Sequence, residues 1–137
     1  MTALFADTFY WIALADFADS SHEYALALTA ERASSAIVTT EEVLIEYLTF
    51  FSGAPEPWRR EVAASVQEIL ASSVIRVIPQ SHGSFMAGLT LYQQRPDKGY
   101  SLTDCISMQT MRREGLMDVL TNDRHFEQEG FRALFRS

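Results

Sequence analysis

Four carboxylates in this chain sit where metal-assisted chemistry would need them. The stretch Tyr100–Phe131, YSLTDCISMQTMRREGLMDVLTNDRHFEQEGF, places Asp104 at the start of an expected helix and Asp123 just past a short apolar run that reads as a strand. Gly115 lies between them as a helix stop. Upstream, Asp7 directly follows the apolar run Ala3–Ala6, and Glu46 lies between Ile45 and Tyr47 in an apolar helical segment. Acids gathered at one edge of a sheet repel unless cations neutralise them. An oxygen-rich set with few nitrogens or sulfurs suits Mg²⁺ or Mn²⁺.

The elements that must position these acids follow from periodicity. Ala3–Ala6, Ser34–Thr39, Val74–Ile78 and Met117–Thr121 read as short strands, rich in apolar or β-branched residues. Between them come helices: one after Asp7, then His22–Ala33, one opened by Thr39-Thr40-Glu41-Glu42, and one from Trp58 with Pro57 at its first position. Ser84–Gln94 and Leu102–Glu114 follow, separated by the loop Arg95–Tyr100, and the tail after Thr121 reads as irregular. Strands alternating with helices predict an α/β fold with a central, mostly parallel sheet covered on both sides, as a single domain over residues 1–137. In such sheets functional groups collect at the carboxyl ends of the strands. Asp7 and Asp123 fall there, and Glu46 and Asp104 lie in opening helical turns that reach the same edge.

Each acid also has a purely structural reading. Asp7 can serve as the N-cap of the next helix, Asp104 completes a capping box with Ser101, and Asp123 can be a turn acid. Glu42 is accounted for by a capping box with Thr39, Glu41 is read as solvated, and Asp118 is read as solvent-facing. His125 is read as packed or capping, and Cys105 as a small buried hydrophobe. Arg112, Arg113, Arg124 and Arg132 lie close in sequence to the acids and can steer phosphates, or simply form a solvated face.

The segments ADTFYWIAL, TTEEVLIEYLTF, YSLTDCISMQTMRREG and LTNDRHFEQEGF resemble the PIN-domain family, and within it the VapC-type toxins of toxin–antitoxin pairs. The resemblance spans nearly the whole chain and aligns Asp7, Glu46, Asp104 and Asp123 with the family's four acidic positions; it selects Glu46 over Glu41 and Glu42. Thr121 or Asn122 matches the polar residue near the fourth acid. The resemblance implies an α/β/α sandwich and a Mg²⁺- or Mn²⁺-dependent ribonuclease acting on single-stranded or loop RNA. It gives Asp7 and Asp104 as direct metal ligands, Asp123 as a ligand for a second metal, and Glu46 as a ligand or a water-orienting group. It also implies a small antitoxin partner of VapB type and a homodimer.

Composition narrows the classes. With 47% hydrophobic residues in 137, the chain can bury a real core, and disorder is excluded. No apolar run approaches the roughly 20 residues that span a bilayer. The N-terminus lacks a basic signal-peptide region, and a single cysteine forms no internal disulfide, so a cytoplasmic protein is expected. A net charge of −7 argues against broad nucleic-acid binding through a basic face, though not against meeting phosphates through metal. The competing classes are an interaction module that keeps the fold without nuclease activity, and a nuclease of the same chemistry outside toxin–antitoxin pairs. A phospho-accepting receiver is rejected, because the only lysine, Lys98, lies in a loop.

Overall fold

A computed structural model describes residues 3–136. The elements run β1 (Leu4–Ala6), α1 (Thr8–Ala15), α2 (His22–Glu31), β2 (Ile37–Thr40), α3 (Glu41–Phe50), α4 (Glu56–Ala71), β3 (Ile75–Ile78), α5 (His82–Gln94), α6 (Leu102–Glu114), β4 (Asp118–Leu120), α7 (Arg124–Gln128) and β5 (Arg132–Ala133). All strand pairings are parallel, in the order β3-β2-β1-β4-β5. The expected parallel α/β/α architecture is therefore present. Strands β1 and β4 are buried along their whole length, as near-continuous apolar strands in a sheet covered on both faces must be. Phe5, Tyr10, Tyr47, Met108, Met111 and Phe126 fill the core around them.

Strand order decides where a site can form. The chain leaves β1 for β2 and β3 on one side, then returns to place β4 on the other. The carboxyl ends of β1 and β4 therefore flank the point where the winding reverses. Ala6 is in register with Leu120, so Asp7 and Thr121 emerge side by side.

Helix α6 reaches this edge through its caps. The Ser101 hydroxyl accepts from the Asp104 N–H at 3.0 Å, and Asp104 Oδ2 accepts from the Ser101 N–H at 3.2 Å. Gly115 ends the helix at φ 70°, a left-handed conformation suited to glycine. Its closest packing is against α5, where Gly88 meets Ile106. A Cβ built on Gly88 would lie 2.4 Å from Ile106 Cγ1 and 3.1 Å from the Ile106 backbone nitrogen. Gly88→Ala must push the two helices apart, and a stability loss of about 2 kcal/mol is expected, read as a lower chemical-denaturation midpoint at unchanged slope. An unchanged midpoint would mean that α6 is not held by this contact.

Several local expectations are corrected. The helix cap before α3 is Thr40, whose hydroxyl accepts from the Val43 N–H at 3.1 Å. Thr39 is instead a buried strand residue donating to the Ala6 carbonyl at 2.8 Å, so Glu42 completes no capping box. Glu41 accepts from the Gln80 N–H at 2.7 Å. The tail is not irregular: it adds α7 and β5 and closes the sheet edge beyond β4. Asp118 is buried rather than solvent-facing, paired with Arg132 at 3.0 Å and more distantly with Arg32. That pair sits at the amino end of β4, so Arg132 is at the opposite edge of the sheet from the other acids. Among the described residues no helix is long and apolar enough to cross a membrane.

Candidate metal centre

Asp7 stands at the N-cap position of α1 but makes no side-chain cap bond. Its carboxylate turns across the sheet edge, where the Thr121 hydroxyl donates to Oδ2 at 2.8 Å. Thr121 Oγ1 in turn accepts from the Asp123 N–H at 3.1 Å, tying the ends of β1 and β4 to the fourth acid. Glu46, one turn into α3, is fixed by the Thr8 hydroxyl, which donates to its Oε1. Asp104 comes in from α6, and Asp123 caps α7 by accepting from the His125 N–H at 2.9 Å. Five elements thus present four acids to one edge: Asp104 and Asp123 bring ligand atoms within 4.8 Å of each other, while Asp7 and Glu46 lie near enough for charge to act between them and Asp104.

Their electrostatics are unrelieved. Burial raises the Asp7 carboxyl, the charge of Asp104 raises it further, and together they outweigh the Thr121 bond and push it up to about 7. Asp104 is also raised by burial and by Asp123 and Glu46, against the bonds from Ser101. Among the described residues no lysine or arginine pairs with any of the four acids; the only basic side chain within reach is the His125 imidazole. Like charges crowded at one edge, one buried and three half-buried, without a lysine or arginine counter-charge among the described residues, are a donor set suited to a hard divalent cation.

Two residues missed from sequence belong to this arrangement. Thr8 could have been found as the hydroxyl immediately after Asp7. His125, read as packed or capping, does pack its ring against Tyr100, but its Nδ1 also lies 3.3 Å from Asp123 and 3.7 Å from Asp104. The expected phosphate-binding arginines are not together. Arg112 and Arg113 lie more than two turns, roughly 13 Å, along α6 from Asp104. Arg112 is bonded to Glu129 at 2.7 Å and lies over the Phe131 ring, while Arg113 contacts Glu114. Arg124 is exposed beside Asp123 and has no carboxylate partner among the described residues.

A model of the PIN domain matches residues 4–131, and the chain belongs to the PIN-domain family. Within it, the chain is homologous to a VapC toxin nuclease: it is 26% identical over 128 residues to the 23S rRNA-specific endonuclease VapC20 of Mycobacterium tuberculosis, covering 93% of this chain and 95% of the relative. The crystal structure of that VapC20, described as a sarcin-ricin loop cleaving toxin, superposes with a TM-score of 0.82 at 25% identity, over 94% of this chain and 96% of the other. VapBC2 of Rickettsia felis, solved with a DNA fragment from its promoter, shares the fold with a TM-score of 0.67 at 16% identity, over 96% of each chain.

Proposed function

We propose that the protein is a divalent-metal-dependent endoribonuclease cleaving single-stranded or loop RNA, and the toxin of a VapBC-type pair. The observation that carries this is the cluster of four acids, with no lysine or arginine partner among the described residues, at the reversal point of a PIN fold. In this reading Asp7 and Asp104 hold the ion, Asp123 serves a second one, and Glu46, oriented by Thr8, holds metal or the attacking water. Divalent metal, Mg²⁺ or Mn²⁺, supplies when bound the positive charge that makes water a nucleophile at neutral pH and offsets charge on the phosphate. Thr121 keeps Asp7 turned toward the edge. Arg124 is the arginine placed to meet an RNA phosphate near Asp123. The natural partner is a VapB-type antitoxin, whose basic side chain would complement the acids, and the toxin itself is a homodimer.

The test is cleavage of a labelled stem-loop with the 23S sarcin–ricin sequence, beside a pool of single-stranded RNA. Discrete internal cuts with Mn²⁺ or Mg²⁺, abolished by EDTA, are expected. Intact RNA in every arm, with no heat of metal binding, would move the chain to the competing class, a PIN-fold interaction module.

A further inference from the structure

Resting on the reading that the acids hold divalent metal, we propose that His125 is itself part of the site. Its Nδ1 joins Asp104 and Asp123 in a mixed nitrogen–oxygen set for a transition ion such as Mn²⁺ or Co²⁺, which this second position takes in preference to Mg²⁺.

One ligand atom from each of Asp104, Asp123 and His125 lies within 4.8 Å of the other two. The imidazole Nδ1 is shielded from solvent and has no hydrogen-bond partner among the described residues, although it faces two carboxylates. A buried ring nitrogen left without a partner calls for a physical reason, and a shared cation provides one. The side chain has no capping duty to explain its position, since it is the main-chain N–H of His125 that bonds Asp123.

The ring is also held in place in advance. Tyr100 packs against it edge to face, with centroids 5.1 Å apart and planes at 61°. The Tyr100 hydroxyl donates to Glu129 at 2.9 Å, and Glu129 is fixed by Arg95 and Arg112, each at 2.7 Å. A chain of contacts thus runs from two arginines through Glu129 and Tyr100 to the imidazole, the kind of outer support that orients a histidine ligand. Imidazole nitrogen favours first-row transition ions, whereas Mg²⁺ favours oxygen. The site is then graded, with oxygens alone around Asp7 and Glu46 and a nitrogen added on the Asp123 side.

Calorimetric titration of the full chain with Mn²⁺ and Mg²⁺, for wild type, His125→Ala and His125→Asn, tests this. Both variants are expected to bind Mn²⁺ at least about 10-fold more weakly and to change Mg²⁺ affinity by no more than about 2-fold. Proton NMR of the Co²⁺-loaded wild type should show a strongly shifted, exchangeable imidazole N–H, and that signal needs no variant to fold. Equal Mn²⁺ affinity in folded variants, or no shifted imidazole signal, overturns the role of His125 and leaves the nuclease reading standing. A wild type that binds neither ion overturns the metal reading itself, and this inference with it.

Discussion

Asp7→Asn is expected to abolish RNA cleavage while making the metal-free protein more stable. Even a residue that only orients a metal ligand is worth about 10- to 100-fold, so losing a proposed direct ligand should cost more than about 100-fold in kcat/KM. The stability gain follows from the position of the carboxylate. It is buried, makes no side-chain cap bond, and faces Asp104 and Glu46, with the Thr121 hydroxyl and the Thr8 backbone N–H relieving it only in part. Asparagine keeps the shape and an oxygen for Thr121 but removes the charge. Function and stability are thus opposed at one atom pair.

The pH dependence gives this a sign. An unfolded Asp7 loses its proton near 3.8, whereas burial and Asp104 hold the folded carboxyl protonated up to about 7. The folded state therefore binds the proton more tightly, and in EDTA the wild type loses stability as pH rises from about 4 to about 7. Fully developed, that loss is of the order of 4 kcal/mol. The melting temperatures of the wild type and Asp7→Asn should lie together near pH 4 and separate above pH 7, with the variant higher. Mn²⁺ should then raise the melt of the wild type and leave the variant nearly unmoved. A variant that melts lower than wild type in EDTA at pH 8 would show that the carboxylate is needed for structure.

The sequence made the sheet edge legible because three of its acids are tied to recognisable punctuation. Asp7 follows a buried apolar strand, Asp104 sits in a Ser-x-x-Asp cap ahead of a helix, and Asp123 closes an apolar run. Glu46 is different: its apolar flanks set it apart from Glu41 and Glu42 and the resemblance selects it, but its bond from Thr8 joins residues 38 apart in sequence. The tandem Thr39-Thr40 with Glu41-Glu42 allows two cap registers of the same appearance. The pairing of Thr40 with Ile78 extends the strand and settles the cap on Thr40. The five-residue α7 and two-residue β5 are too short to show any period, so the tail looked irregular. The burial of Asp118 and the approach of His125 to two acids both depend on tertiary contacts that no local window contains.

Glu129, in that unreadable tail, carries the second large effect: Glu129→Gln is expected to lower stability by about 2 kcal/mol. Burial alone would raise this carboxyl, but bonds from Arg95, Arg112 and Tyr100 outweigh it and hold it down to about 2. Removing one partner of a buried ion pair costs about 3–5 kcal/mol. Here the two arginines are 36% and 40% exposed and regain water, which brings the figure down to about 2 kcal/mol. For a chain of this length that is roughly 7 °C in melting temperature. The depressed pKa sets the pH window: the contribution is fully present above about 4.5 and fades as pH falls toward 2. The gap between wild type and Glu129→Gln should therefore be widest at neutral pH and close on acidification. Because Glu129 also anchors Tyr100 against His125, the variant should weaken Mn²⁺ binding more than Mg²⁺ binding, linking a fold-stabilising ion pair to the metal preference of the site. A neutral-pH melt within 1 °C of wild type would mean that water replaces the carboxylate at no cost, and that Tyr100 needs no anchor.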